Sequence, residues 1–518
     1  MPNDRWLCAF ATVLLLLALV GGCATPNREA YVPAVASPAK EPLSREARVA
    51  RAKALEFPTE YVAPPGDPMS YHAAALARVV CAGVFISGLD PDFVVANAGV
   101  VPPFDVRKTL GKPVVDAAKK TVDVATPKGV VRSARFVGAR QGCVVAAESG
   151  APLHFAPKEP ATSLGTTASG PWPAGAVLPQ ESLPAQIDAA KLKQAVDTAF
   201  EPAGAMTSAY VVTWRGKIIA ERYAPGITPQ TPLESWSMGK TVLAILMGTL
   251  VADGTYDLWQ PVPIGEWRQP EDPRRDIRIA DLLRMSGGLR FRGNLDAESY
   301  PAGDYLDDSY VYVADVDVAR YVTTRPPQWP AGTVGRYRNS DAVVIADLVR
   351  RAAGARGQDF YSYAQRALFD KIGMRTLTLE PDTFGTPLAH GYVLGSARDW
   401  ARLGNLLLQD GRWNGEALVP ESYVRFMRTA APAWAADGRP WYGGFVWLNR
   451  AKLWPGPEDS YAVFGAGGQA TWIFPTHDLV VVRMGFAKGG EESSDPLKLI
   501  LDAVPQSRPV EAPYPARP

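Results

Sequence analysis

From Met238 to Val251 the chain is apolar nearly all round, through Val242, Leu243, Ile245, Leu246, Met247 and Leu250. A helix of that kind is stable only where other elements surround it, so the fold must be built around this segment. Asp253–Gly254 ends the run with a residue suited to a left-handed cap. At its head stand Ser237 and Lys240, in the run Glu234-Ser-Trp-Ser-Met-Gly-Lys-Thr. Three residues apart at a helix start, hydroxyl and amine share one face, a turn apart. A serine hydroxyl is almost fully protonated at neutral pH and needs a neighbouring base to act as a nucleophile. The plain alternative for Ser237 is a helix N-cap. The same spacing at Ser37 and Lys40 carries no such meaning, because Pro38 forbids a regular helix there.

With 518 residues, 47% hydrophobic and 21% charged, the chain can bury one large core and a second, smaller unit. A net charge of +1 removes the electrostatic case for nucleic acid binding. Arg5 precedes an apolar run, Leu7 to Val20, too short for a typical membrane span. Gly21 and Gly22 then place small residues before Cys23, as a signal-peptide cleavage site requires. Val20-Gly-Gly-Cys23 resembles a bacterial lipobox, which implies a signal peptide over residues 1–23 and a lipid on Cys23. An ordinary secretory signal is the alternative. Ala24 after the cysteine, by resemblance to Gram-negative lipoproteins, implies the outer membrane, facing the periplasm. Several acyl chains would hold the protein to a bilayer without a spanning helix. Residues 24–60, beginning with the proline- and alanine-rich Thr25 to Lys40, are expected to form a tether. Cys8 lies in the leader and Cys23 is assigned to lipid, which leaves Cys81 and Cys143. In an oxidising compartment these two can form a disulfide; two buried free thiols are the alternative. His72, His154, His390 and His477 are scattered, so no metal site is expected, and no cofactor is implied.

Residues 61–150 form an accessory region with a helix near His72–Val80 and a hairpin over Thr121–Val137, turning at Pro127-Lys-Gly129. Residues 151–183, dense in Pro, Gly, Ser and Thr, are a linker or a long wrapping loop. The larger unit spans 184–505. It contains a helical stretch at Ala189–Phe200 and a hairpin, Ala209–Trp214 with Ile218–Tyr223, about Arg215-Gly216-Lys217. Strand-like runs follow at Gly444–Asn449, Gln469–Pro475 and Leu479–Met484, then a closing helix at Asp495–Ala503. Strands at both ends with helices between predict an α+β unit whose sheet is assembled from remote segments. Residues 506–518 are expected to be a disordered tail.

Six further stretches accompany Ser237-x-x-Lys240. They are Asp253-Gly254, Ile279 to Gly288 (IADLLRMSGG), Pro330-Ala-Gly332, Tyr337-Arg-Asn339, Gly395 to Gly404 (GSARDWARLG) and Gly465-Ala-Gly-Gly-Gln469. In this order they resemble the serine β-lactamase and penicillin-binding superfamily, in its class C-like branch of esterases, D-aminopeptidases and 6-aminohexanoate-dimer hydrolases. Ser235-Trp236 and the Arg-Met-Ser-Gly-Gly run are most similar to the last of these. The resemblance covers about residues 184–505. It implies a β-lactamase/transpeptidase-like fold, an antiparallel sheet flanked by helices plus a helical subdomain, here with an N-terminal extension rich in short strands.

It further implies an acyl-enzyme on Ser237, with Lys240 and Tyr337 jointly moving the proton. Their unperturbed pKa values of about 10.4 and 10 make either a poor base unless the site shifts it. Asn339 would orient Lys240 or a substrate carbonyl, and the backbone N–H groups of Ser237 and Gln469 would form the oxyanion hole. Penicillin-directed relatives carry a lysine or histidine, a small residue and a glycine where this chain has Ala466-Gly467-Gly468. That exchange leaves no cation for a substrate carboxylate. Trp236 with these three residues is expected to line the substrate pocket, and Phe464 and Trp472 to add apolar wall or core. A structural role is the alternative for Tyr337, and packing is the default for His390 and Tyr392. Arg284 and Asp399 are expected to hold helices together. The function implied is an exported hydrolase of a small-molecule ester or amide. The alternatives are a D,D-peptidase or β-lactamase, and a catalytically silent envelope lipoprotein that binds through its cleft.

Overall fold

The apolar run after Ser237 forms the helix Gly239–Ala252, and Val242, Leu243, Ala244, Ile245, Leu246 and Met247 on it are fully buried. The computed structural model describes residues 41–514, apart from 100, 166–169, 202, 302, 314 and 489–492. The leader, the lipid expected on Cys23 and the first part of the tether lie outside the described residues. Among the described residues no helix is long and apolar enough to cross a membrane.

In the accessory region, β1 (Val114–Asp116), β2 (Thr121–Ala125), β3 (Val131–Gly138) and β4 (Gly142–Val145) form an antiparallel sheet in chain order. The β2–β3 pair is the predicted hairpin. Helix Pro68–Phe85 covers this sheet, burying Leu76, Val79 and Val80 with Val122 and Val124. Cys81 on that helix and Cys143 on β4 form the disulfide.

The larger sheet begins with β5 (Thr207–Trp214) and β6 (Lys217–Tyr223). Their two-residue loop has φ of 50° at Arg215 and 76° at Gly216, left-handed at both positions as a tight hairpin requires. Next in the chain come β7 (Leu233–Glu234), β8 (Thr378–Leu379) and β9 (Val393–Gly395), a small sheet in the order β7-β9-β8. The β10 (Arg412–Trp413) and β11 (Glu416–Ala417) hairpin follows, then β12 (Trp447–Leu448), β13 (Tyr461–Gly465), β14 (Gln469–Phe474) and β15 (Leu479–Gly485). The six-stranded sheet runs β12-β13-β14-β15-β5-β6, antiparallel throughout. Of its C-terminal strands, β13 has no counterpart among the runs predicted from sequence. One face, with Tyr210, Val212, Ala462 and Val481, packs under helices Ala189–Thr198 and Asp495–Ala503. The other, with Val211, Val463, Val480 and Val482, shares the main core with helix Ala397–Leu408 and the central helix.

Two boundaries differ from expectation. Within the predicted tether, residues 45–54 form a helix whose Ala52 is buried with Trp329 and Val334, and Trp329 Nε1 donates to Ala52 O at 2.9 Å. That helix is strongly polar, and remote partners hold it: this apolar contact, and Arg51 paired with Asp437 at 3.0 Å. Residues 505–514 are held rather than loose: Ser507 N–H donates to Thr476 O at 2.8 Å, and Glu511 pairs with Arg428 at 2.7 Å. Of the two expectations for residues 151–183, the wrapping loop fits the part around Pro173 and Gly175, whose carbonyls accept from Arg402 at 2.7 Å each.

The accessory region is joined to the larger unit by buried charge. Glu380 is fully buried, accepts the Cys143 N–H through Oε1 at 2.5 Å and pairs with Arg78 through Oε2. Arg78 is 1% exposed, and its guanidinium lies 2.9 Å from the centre of the Tyr392 ring. Glu234, next to the nucleophile's turn, is likewise buried, and burial pushes its carboxyl up to about 7 against the pull of Arg78 and Arg107. Both cations come from the accessory region. Removing one partner of a buried pair leaves the other charge uncompensated, at a cost of about 3–5 kcal/mol. Arg78→Leu is therefore expected to lower unfolding free energy by about that amount in urea titration, and residues 184–518 expressed alone are expected not to fold.

Candidate active site

Between β7 and the central helix the chain turns sharply at Trp236, which has a φ of 49°, disfavoured for so large a side chain. Neighbouring contacts hold the turn in place. Ser235 N–H donates to Val393 O at 2.7 Å, Ser235 Oγ donates to Leu233 O at 2.9 Å, and Trp400 Nε1 donates to Ser235 Oγ at 2.8 Å. A single 3-10 turn, Trp236–Met238, then carries Ser237 to the head of the helix, where it is partly exposed.

Lys240 is 1% exposed, and its Nζ donates to Ser237 Oγ at 2.9 Å and to His390 O at 2.5 Å. Tyr337 approaches from the other side. Its ring centre is 4.9 Å from Lys240 Nζ, and its phenol lies within electrostatic reach of the Ser237 side chain. Tyr442 and Trp447 hold that ring, at centroid distances of 5.7 Å and 5.4 Å. Asn339 opens helix Asn339–Ala355; its N–H donates to Asp308 Oδ1 at 2.9 Å and its side chain lowers the Tyr312 phenol against burial.

Burial separates the two members of the proton relay. It lowers Lys240 to about 7, with Asp308 opposing the shift. The same burial pushes Tyr337 well above its ordinary range, with Ser237 opposing and Asp308 adding. At neutral pH Lys240 is thus able to gain or lose a proton, while Tyr337 stays a phenol that can pass one on.

Other expected positions fall into place or are corrected. Trp236 is 3% exposed and packs behind the nucleophile against Tyr312 and Tyr392, at 6.0 Å and 5.8 Å, so it is not a lining residue. A Cβ added to Gly99 of the accessory region would lie 3.1 Å from the Trp236 ring, which brings that region directly behind the site. Phe464 and Trp472 lie on the far face of the sheet, where with Tyr210 and Trp454 they line a cavity of about 360 Å³ under helices Ala189–Thr198 and Asp495–Ala503. The imidazole of His390 and the ring of Tyr392 are fully buried, as packing predicts, but the His390 carbonyl reaches Lys240. Asp399 accepts from Thr376 N–H at 2.7 Å and pairs with Arg402 at 2.9 Å; Arg284 O accepts from Trp434 Nε1 at 3.0 Å.

Gln469, expected as an oxyanion donor, is held in the sheet by its side chain. Gln469 sits on β14 inside the sheet, opposite Gly465, and is 2% exposed. Its side chain is committed to Gly485, accepting that N–H at 3.0 Å and donating to its carbonyl. The strand that meets the nucleophile's turn is β13. The short β12 pairs only with Tyr461 and Ala462, which leaves the rest of that edge open. A Cβ on Gly465 would lie 2.1 Å from Ser235 O, so only glycine fits there, and Ala466 follows at once. The turn beyond, Ala466-Gly467-Gly468, has left-handed φ at both glycines, 77° and 73°, and Arg483 donates to their carbonyls at 3.0 Å and 2.8 Å.

Three contributors had no sequence signal of their own: the His390 carbonyl, Tyr312, whose hydroxyl donates to that carbonyl at 3.4 Å, and Asp308. The run Asp304 to Tyr312 is dense in acids and tyrosines, and that density was the one available hint.

A buried Ser–Lys–Tyr cluster beside the edge of an antiparallel sheet defines a class. A model of the beta-lactamase family matches residues 193–503, and the chain belongs to that family. It is a serine hydrolase. It is similar to the 6-aminohexanoate-dimer hydrolase of Paenarthrobacter ureafaciens, 24% identical over 295 residues, which are 54% of this chain and 72% of that one. Among solved structures, a penicillin-binding protein homologue from Caulobacter crescentus matches at 16% identity and a TM-score of 0.47, over 62% of this chain and 97% of its own. A family VIII carboxylesterase matches at 15% identity and a TM-score of 0.48, over 62% of this chain and 98% of its own.

Because the neutral amine is the form that accepts the Ser237 proton, kcat/KM is expected to rise with pH, with a midpoint near 7 set by Lys240. Lys240→Ala is expected to cost about 10²–10⁴-fold in kcat/KM and to remove that limb, measured in a pH series.

Proposed function

We propose that this protein is an exported, lipid-anchored hydrolase that opens an ester or amide bond of a small molecule through an acyl-enzyme on Ser237. The observation that carries the reading is the 2.9 Å contact between Lys240 Nζ and Ser237 Oγ, with the Tyr337 ring 4.9 Å from the same amine. In the attack step, a bond forms between Ser237 Oγ and the carbonyl carbon, the π electrons move to the carbonyl oxygen, and the Oγ proton passes to Lys240 Nζ. The developing oxyanion is received by the Ser237 N–H and by the Ala466 N–H at the open end of β13. Donors of this kind contribute about 3–4 kcal/mol each to the transition state. On collapse the bond to the leaving atom breaks, and the proton travels from Nζ through the Tyr337 hydroxyl to that atom. Water repeats the sequence to release the acyl group. Asn339 acts on Tyr312, which donates to the His390 carbonyl and so keeps the acceptor of Lys240 in position.

The edge Val463 to Gly468 carries neither cation nor hydroxyl. A substrate carboxylate therefore gains nothing there, which supports neutral esters and amides over β-lactams and stem peptides. Similarity to a 6-aminohexanoate-dimer hydrolase is consistent with that preference. Attachment to the outer membrane through Cys23, facing the periplasm, is supported by the Val20-Gly-Gly-Cys23 sequence and by the Cys81–Cys143 disulfide, which suits an oxidising compartment.

A short p-nitrophenyl ester is expected to be hydrolysed by the wild type and not above background by Ser237→Ala; equal rates would mean a silent binding protein. Stable labelling of Ser237 by a fluorescent penicillin would contradict the carboxylate argument. Cys23→Ser is expected to move the protein from the membrane to the soluble fraction after cell breakage.

A further inference from the structure

Lys240 is a buried amine in contact with neutral groups: Ser237 Oγ, the His390 carbonyl and the Tyr337 ring. Attack by Ser237 converts it to an ammonium, and an isolated buried ammonium is costly. Asp308 stands on the helix whose Tyr312 hydroxyl shares the His390 carbonyl with Lys240, and it accepts the Asn339 N–H two residues past Tyr337, whose ring is 4.9 Å from the amine. Its carboxylate acts on Lys240 through space. Asp308 is 5% exposed at the start of helix Asp307–Val313. Both of its oxygens are fixed by backbone amides, Oδ1 by Asn339 N–H at 2.9 Å and Oδ2 by Asn294 N–H at 3.1 Å. Its acidic neighbours are committed to other cations: Asp296 to Arg338 at 2.7 Å, and Asp307 to Arg325 at 3.4 Å. Asp308 forms no ion pair of its own among the described residues. It is thus a rigid, buried negative charge held against the foot of the helix that carries Asn339, within electrostatic reach of Lys240, Tyr312 and Tyr337.

We propose that Asp308 is a positioning residue of the hydrolase site, supplying the fixed countercharge to the ammonium that forms on Lys240 when Ser237 gives up its proton. The inference rests on the acyl-enzyme reading above. The proton moves from Oγ to Nζ and later through Tyr337 to the leaving atom; Asp308 accepts none. The other groups facing the pair do not take up this task. The His390 imidazole is held neutral by burial and by Lys240 itself. Tyr312 and Tyr337 are both pushed up, by burial first and then by Asp308. Asp296 faces Asp308 and reinforces its upward shift. Of the groups facing the amine itself, Asp308 and Lys240 are the two able to change charge near neutrality, Glu234 doing so behind the nucleophile's turn against Arg78 and Arg107. With Asp308 ionised the ammonium is favoured.

The test is the rate at which a fluorophosphonate modifies Ser237, followed across pH by intact mass in the full-length protein, which needs no knowledge of the natural substrate. In the wild type the rate is expected to rise through about pH 7. In Asp308→Asn the limb is expected to move down by about 1–3 pH units, because the charge that favoured the ammonium is gone, while the plateau rate falls by about tenfold or more. Asp308→Glu, which keeps the charge while loosening the amide contacts, is expected to hold the limb near its wild-type position even if its melting temperature falls. A limb that stays in place in a folded Asp308→Asn overturns the proposal, and so does a limb in Asp308→Glu displaced downward. A wild-type Ser237 that resists modification at every pH refutes the acyl-enzyme reading itself, and this inference with it.

Discussion

The structure turns on keeping one amine out of water. Lys240 in solution would hold its proton far above neutral pH. Sealed within the first turn of the central helix, it is brought into the range where it can exchange a proton near neutrality. Desolvation does this work, and desolvation needs a complete enclosure. The apolar helix Gly239–Ala252, the Tyr337–Tyr442–Trp447 stack and the His390 carbonyl each supply part of it. None of these elements is near another in the chain.

The accessory region belongs to the same enclosure. Trp236, one residue before the nucleophile, packs toward Gly99 and Val79, and Glu234 and Glu380 rely on Arg78 and Arg107 for their countercharge. The family model stops at residue 193 on this side, yet the buried charges at the back of the site extend past it. A region without catalytic groups of its own thus becomes part of the catalytic structure. It neutralises carboxylates that the larger unit has buried and cannot balance alone.

Much of the architecture was legible because its signals are local. The β2–β3 and β5–β6 hairpins, the helix Asp495–Ala503 and the central helix each announce themselves by periodicity or by turn residues within a dozen positions. The strand β13 did not. Its five residues, Tyr-Ala-Val-Phe-Gly, alternate between two buried faces and therefore show no amphipathic pattern. With β13 in place, Phe464 and Trp472 belong to the core under the closing helices rather than to an acyl pocket. The helix Arg45–Ala54 escaped for the opposite reason: it is so polar that only contact with Trp329 gives it a buried side.

By itself the sequence determined which groups react. Ser237 and Lys240 lie one turn apart on a single helix, so their contact follows from helical geometry alone, and Tyr337-x-Asn339 could be read as their partner from its place in the motif order. Only the tertiary structure decided that Lys240, and not Tyr337, is brought near neutrality by its burial, and that Asp308 is fixed on the Asn339 N–H close by. Those outcomes depend on solvent exclusion and on charges brought close from remote segments. Neither quantity is carried by any short stretch of residues.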